Sequence, residues 1–272
     1  MNVIFYHKNC YDGHAAAWVA SHALPNNISL PVAYGDPVPS VLADSEIYIL
    51  DFSFPKDVLI EMSTKVQKLV VLDHHKTAQA NLEGLDFCQF DMNRSGAGMT
   101  WDYFHPNQPR PDLINFVEDR DLWRFKLPKT KEIHAYISSF PMDFRTWDQL
   151  NTDIIYHYAD CVYAGENILR YHAQKVIEMA EAASIQEVGG YRVPVVNCPY
   201  QFASDILHLL TNRYPDAAFA AGWSEQANGV RRYSLRGRST DDFDVSMVAK
   251  QFGGGGHKKA AGFEVPLRKA RE

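Results

Sequence analysis

The sequence predicts an α/β protein with a larger N-terminal domain on a mainly parallel sheet, a connecting helix, and a smaller C-terminal α/β domain. Three observations carry this. Short apolar, branched runs at residues 3–6, 47–50 and 70–72 alternate with segments of helical spacing, the pattern of a parallel sheet with crossover helices. Residues 160–185 contain no proline and one early glycine, Gly165, while Val162, Leu169, Val176, Ala180 and Ala183 recur at helical intervals. That reads as a long connecting helix ended by Gly189-Gly190. Strand-like and helix-like runs then resume from Tyr191. The boundaries implied are 1–158, 159–188 and 189–272.

In chain order, residues 3–6 read as a first strand, followed by a polar turn from His7 to His14 containing Gly13, then a helix over 15–20. Residues 25–39 are rich in Pro, Asn and Gly, mostly loop, with an edge strand near 29–34. Residues 47–51 form a buried strand ending in Asp51. The run 55–68 is helical, with Val58, Leu59, Met62 and Val66 on one face and Pro55 suited to its first turn. Val70-Val71-Leu72 is a strand delivering Asp73-His74-His75 from its carboxyl end. Ser95 caps a helix running through Met99, Trp101 and Phe104; a further helix over 111–118 leads into Asp119-Arg120-Asp121. Residues 126–151 read as irregular with short helices. In the last domain, strands are expected over 191–197, 217–223 and 231–236, and helices over 201–214 and 245–252. Residues 268–272 read as a frayed, solvated tail.

A hydrophobic content of 46% supports sizeable cores, and a formal charge of −6 argues against coating long nucleic acid through a broad basic field. The four cysteines are scattered without a CxxC pair and read as reduced thiols. No stretch approaches the roughly 18 apolar residues of a membrane span. A cytoplasmic protein without a membrane partner is the expectation; a homodimer is left open.

The chemistry gathers at strand ends. His7, Asp12, His14, Asp51, Asp73, His74 and His75, with Asp119 and Asp121 beyond, place acids and imidazoles at one sheet edge. In open parallel sheets that edge is where ligands bind. Carboxylates and imidazoles together suit Mn, Fe, Zn or Co. Several segments supplying such donors is what a pair of divalent ions about 4 Å apart needs, and such a pair clamps both oxygens of an in-line displacement at phosphorus.

Val71-Leu72-Asp73-His74-His75, preceded by a strand ending in Asp and followed by Gly253-Gly254-Gly255-Gly256-His257, resembles the DHH phosphoesterase superfamily, and within it the DHHA1-containing subfamily of nanoRNases, cyclic-dinucleotide phosphodiesterases and RecJ-type exonucleases. The likeness covers residues 3–123 and 191–263. It implies two Mn²⁺ ions, or Mg²⁺ or Co²⁺, held by His7, Asp12, Asp51, His74 and Asp121, with Asp51 bridging. His14 stands where the family often has a second aspartate and is a further candidate metal ligand, and one extra residue separates His7 from Asp12. Asp73 belongs to the signature motif, and His75 would face the phosphate as a hydrogen-bond donor. Asp121 with Phe125 and Asp119 with Trp123 both fit the last motif; Asp121 is preferred because Asp-Leu-Trp-Arg-Phe is closer to the family's Asp-Thr-x-x-Phe. The resemblance assigns Gly254, Gly255, Gly256 and His257 to the substrate phosphate or terminal nucleotide, with His257 reaching toward the metal site, and Arg236 to the substrate, an arginine fork and a run of amides being good anion binders. Arg238 and Lys258 are weaker candidates.

Other features have plainer readings: Trp18, Trp101 and Trp147 as core, residues 241–244 as a solvated turn. The helix N-terminus at Ser95-Gly96-Ala97 could receive an anion. The function expected is a phosphodiesterase acting on short oligonucleotides or dinucleotides, as an exonuclease, with the substrate gripped between the two domains. A pyrophosphatase, or a catalytically weakened nucleotide-binding protein, is the alternative.

Overall fold

The computed structural model describes residues 1–40, 43–227, 229–238 and 240–267, so the tail expected at 268–272 lies outside the described residues. It forms two compact units, Met1–Leu169 and Arg170–Glu272.

The first unit runs β1 (Asn2–His7), α1 (Tyr11–Ala23), β2 (Asn27–Val32), β3 (Glu46–Leu50), α2 (Lys56–Ser63), β4 (Lys68–Asp73), α3 (Lys76–Asn81), β5 (Cys88–Phe90), α4 (Gly96–Phe104), α5 (Asp112–Asp121), α6 (Thr130–Ser138), α7 (Phe144–Tyr156) and α8 (Tyr158–Ala180). Its strands form one parallel sheet in the order β2-β1-β3-β4-β5. Strand side chains alternate between two cores, as the period of 2 requires. Ile4, Tyr48, Leu50, Val70 and Leu72 pack with α1, α4, α5, α6 and α7, whereas Val3, Phe5, Ile47, Ile49, Leu69 and Val71 pack beneath Leu59 and Met62 of α2. Because both faces are covered there, β1, β3 and β4 read as nearly unbroken apolar runs. The order reverses between β1 and β3, which makes their carboxyl ends the switch point of the sheet.

The second unit, entered within α8, contains β6 (Ser184–Val188), β7 (Tyr191–Asn197), α9 (Tyr200–Arg213), β8 (Phe219–Glu225), β9 (Val230–Gly237), α10 (Val245–Gln251), β10 (Gly255–His257) and β11 (Ala260–Pro266). Its sheet has the order β10-β11-β9-β8-β7-β6 and is antiparallel except for β7 with β8.

Several expectations need correction. The helix read over 160–185 ends at Ala180, and Ser184–Val188 is a strand paired with β7. Gly189-Gly190 is a hairpin turn, both residues at positive φ (59° and 84°), not a helix stop. The polar turn is shorter than expected, since α1 already begins at Tyr11 and includes Asp12 and His14. The helix after Pro55 ends at Ser63, five residues before Lys68, where β4 begins. Residues 126–151 hold two regular helices, buried through Ile133, Ile137, Trp147, Leu150 and Ile154. Trp147 and Trp18 are core, as expected.

Candidate metal centre

β1 and β3 end side by side at the switch point, and each contributes a donor. His7 closes β1, and α1 starts four residues on, carrying Asp12 in its first turn. Asp51 follows β3 with its backbone in the left-handed region (φ 54°), and its N–H donates to Leu72 O of the neighbouring strand at 2.9 Å. Asp is among the few residues with a side chain that tolerate this conformation. Asp73 ends β4, and His74 and His75 follow it before α3.

Two groups of side chains have donor atoms lying within 4.8 Å of one another: His7, Asp51 and His75, and Asp12, Asp51 and His74. Asp51 belongs to both. His74 Nε2 lies 3.1 Å from Asp51 Oδ1, 3.6 Å from Asp121 Oδ2 and 3.7 Å from Asp12 Oδ2, so Asp121, the last residue of α5, borders the second group through His74.

Asp12 and His75 are each held by contacts that fix their aim. Asp12, 1% exposed, accepts hydrogen bonds from Gly96 N (2.6 Å) and Ala97 N (3.0 Å), so the anion received at the α4 N-terminus is the protein's own carboxylate. Ser95 caps the same helix by accepting from Gly98 N. The approach is tight: a Cβ on Gly96 would lie 2.5 Å from Asp51 Cβ and 3.0 Å from Asp12 Oδ2. Asp73, fully buried, accepts from Ser53 Oγ (2.5 Å), His74 N (2.7 Å), His75 N (3.1 Å) and His75 Nδ1 (2.6 Å). It orients His75, whose Nε2 is thereby the nitrogen left to face a ligand.

The electrostatics fit a cation. Burial, with Asp51 and Asp121 nearby, pushes Asp12 well above the usual carboxylate range, and Asp121 is raised by burial and Asp51. Burial would raise Asp51 too, but His7 and His74 outweigh it and hold Asp51 below its ordinary value. Burial lowers His74, and the hydrogen bond that its Nε2 donates to Asp51, with the surrounding carboxylates, overcomes this and lifts it to about 9. His7 Nδ1 and Asp51 Oδ2, 3.5 Å apart, are buried polar atoms without a hydrogen-bond partner. Buried acids converging on unsatisfied donors are what a divalent ion compensates, so the residues present fit such a group.

Other residues named from the sequence lie elsewhere. His14 points away from both groups, its ring 4.9 Å from Trp147 and 5.1 Å from Phe144, and burial lowers it to about 4. Asp119 accepts from Lys126 N, Leu127 N and Thr130 Oγ1, closing the loop after α5. In the second unit, Arg236 and the glycine run line a groove of about 650 Å³ together with Tyr200, Tyr233 and Phe252. A Cβ on Gly254 would lie 2.1 Å from Gly262 O and one on Gly256 2.6 Å from Ala260 O, so pairing with β11 accounts for these two. Gly255 faces open space, and His257 is exposed on β10. Burial lowers Arg236 from its ordinary value.

Sequence reasoning missed Ser53 and Gly96. A serine two residues after a strand-end aspartate carries no spacing signal, and the glycine of Ser95-Gly96-Ala97 reads as helix capping until Asp12 is seen against it.

The DHHA1 domain family matches residues 201–272. An uncharacterized protein of Acanthamoeba polyphaga mimivirus is 31% identical over 287 aligned positions, spanning 96% of this chain and 67% of that protein. Among solved structures, a pGpG-specific phosphodiesterase, PggH, of Vibrio cholerae aligns with a TM-score of 0.56 at 12% identity, covering 98% of this chain and 93% of that one. RecJ of Thermus thermophilus, solved in complex with Mn²⁺, gives 0.51 at 13% identity over 98% of this chain and 50% of RecJ. An uncharacterized Helicobacter pylori protein gives 0.50 at 16% identity, covering 100% and 94%. With the signature Asp73-His74-His75 at the switch point and the DHHA1 match in the second unit, the chain belongs to the DHH superfamily, in its DHHA1-containing subfamily.

Proposed function

We propose that this protein is a metal-dependent phosphodiesterase that hydrolyses short oligonucleotides or dinucleotides, acting as an exonuclease. The observation that carries the reading is Asp51, shared by two donor groups at the switch point of a parallel sheet. His7, Asp51 and His75 would hold one divalent cation, and Asp12, Asp51, His74 and Asp121 a second, with Mn²⁺ the preferred ion. Such a pair, when bound, supplies Lewis-acid charge for an attacking water and for the departing oxygen.

The chain's own contribution is positioning. Asp73, braced by Ser53, keeps the proton on His75 Nδ1 and the ring's other nitrogen free. The α4 amides take Asp12's lone pairs and fix its carboxylate toward His74. In the second unit, Arg236 and the open edge at Gly255 would bind a substrate phosphate, the arginine through its fork and the loop through its amides. On this reading residues 1–158 are the catalytic domain, 159–188 the connector and 189–272 the substrate-binding domain. The pGpG specificity of PggH and the Mn²⁺ bound by RecJ agree in kind with this substrate class and ion.

The test is product analysis with Mn²⁺ on end-labelled RNA and DNA from two to about twenty nucleotides, beside inorganic pyrophosphate. Conversion of the shortest oligomers to mononucleotides, abolished in Asp51→Asn, is expected. Turnover of pyrophosphate alone would replace the reading with a pyrophosphatase.

A further inference from the structure

The loop that follows Asp121 is dense in cations and aromatic rings. Residues 120–131 carry five cations, Arg120, Arg124, Lys126, Lys129 and Lys131, interleaved with Trp123 and Phe125, in a protein of net charge −6. Trp123 is 68% exposed, the most exposed of the five tryptophans.

This exposure is imposed rather than slack. Trp123 and Phe125 both sit in left-handed backbone (φ 54° and 48°), a conformation bulky residues adopt only where the surroundings enforce it. The enforcement is visible: Trp123 N donates to Arg120 O at 3.1 Å, Arg124 N donates to Asp119 O at 2.9 Å, and the Asp119 carboxylate takes Lys126 N, Leu127 N and Thr130 Oγ1. The Arg120 guanidinium lies 4.3 Å from the indole centroid, and Phe125 meets Trp123 edge-on at 5.0 Å. The indole is thus backed by a cation while most of its surface stays open to solvent.

The platform is also close to the chemistry. Trp123 follows Asp121 by two residues, which limits their Cα separation to about 7 Å, and Asp121 Oδ2 is 3.6 Å from His74 Nε2. A rigid, solvent-facing aromatic ring among cations is the arrangement by which proteins hold single-stranded nucleotides, the ring taking a base and the cations the backbone.

We propose that Trp123 is the stacking platform for a nucleobase adjoining the scissile phosphate, making the substrate a base-bearing, single-stranded nucleotide rather than a bare phosphate ester. This rests on the phosphodiesterase reading and names its substrate class. Phe125, with Lys131 Nζ 5.2 Å from its ring centroid, braces the platform, and Asp119 is the positioning residue that sets the loop.

The experiment has two arms. In the first, intrinsic fluorescence of the metal-free protein is titrated with AMP and, separately, with ribose 5-phosphate. AMP should quench the wild type, ribose 5-phosphate should not, and Trp123→Phe should lose the quench. In the second, wild type, Trp123→Ala and Trp123→Phe are compared with Mn²⁺ on a diribonucleotide and on its counterpart carrying one abasic sugar. Trp123→Ala should raise KM on the order of ten- to hundredfold for the intact substrate and leave the abasic one alone, with kcat little changed; Trp123→Phe should restore KM. An unchanged KM in Trp123→Ala, or an equal rise on both substrates, overturns the platform while leaving the phosphodiesterase standing. If the wild type hydrolyses neither substrate, the phosphodiesterase reading falls, and the AMP titration decides the platform: absence of quenching overturns it, as does quenching retained in Trp123→Phe.

Discussion

Gly96→Ala puts a single carbon between the two carboxylates on which the site depends. Its Cβ would stand 2.5 Å from Asp51 Cβ, 2.9 Å from Asp51 Cα and 3.0 Å from Asp12 Oδ2, so about 0.9 Å of retreat is needed to reach an ordinary contact of 3.4 Å. Asp51 cannot yield easily, because its amide is tied to Leu72 O and its φ is already left-handed. The α4 N-terminus must move instead, stretching the bond from Gly96 N to Asp12. Overpacking costs about 1–3 kcal/mol, and because Gly96 is the first residue of α4 little of alanine's interior-helix advantage of about 1 kcal/mol offsets it. A net loss of at most about 3 kcal/mol is a fraction of a typical domain's stability of about 5–15 kcal/mol. Displacement of a catalytic carboxylate by about 1 Å costs on the order of a hundredfold in rate. The assay is kcat/KM on a dinucleotide with Mn²⁺, beside calorimetric titration of Mn²⁺ and a thermal melt. Wild-type affinity and rate in a folded Gly96→Ala protein would refute the argument that this close approach sets the site.

Removing the Ser53 hydroxyl, in Ser53→Ala, should weaken Mn²⁺ binding or turnover about 10- to 100-fold through the loosened Asp73–His75 pair, read by metal titration; an unchanged affinity and rate would show that Asp73 holds His75 unaided. Gly254→Ala should destabilise the second unit, its Cβ striking Gly262 O, whereas Gly255→Ala should melt as the wild type and raise KM; equal melting of the two variants would contradict the packing argument. His14, buried and neutral with its pKa lowered to about 4, should make stability fall as pH drops from about 6.5 toward 4. The unfolded chain takes up the proton first, so this contribution is complete above pH 6.5, and His14→Leu should flatten the slope by up to about 1.4 kcal/mol per pH unit. Denaturant melts at pH 7 and pH 5 measure it.

Much of this is legible in the sequence where the signal is local. Asp51, Asp73, His74 and His75 sit at the ends of apolar runs too short and too branched for helices, and a strand's end is a position that can be read. The preference for Asp121 over Asp119 rests on a motif; the structure supplies a physical basis, because all of Asp119's bonding goes to the loop it closes. Other features depend on partners far away in the chain. The strand at Ser184–Val188 exists because β7 returns beside it; its own residues, mostly exposed, lack the alternation that would announce it. The helices over 130–156 are obscured by polar residues on their outer faces, their buried residues being explicable only against α1 and α5. His14 looks like a donor because it follows Asp12 by two residues, yet in a helix that interval turns a side chain to another face, here toward α7.

The donors of the centre are drawn from residues 7, 12, 51, 74, 75 and 121, so no short segment of the chain owns it. Parallel strands joined by crossovers pair only after long loops have closed, and the entropy of that closure is spent before any contact repays it. A chain in which α5 or β1 has come away is therefore left with a depleted donor set, and an ion that binds the assembled set alone draws the population toward the native state by RT ln(1 + [L]/Kd). At a free Mn²⁺ concentration of 100 Kd this amounts to about 2.7 kcal/mol, a large fraction of a typical domain's stability. On the proposed metal binding, metal supply and the folded fraction of this protein would be one equilibrium, and a melting temperature that climbs with Mn²⁺ in the wild type and stays level in Asp51→Asn would display it.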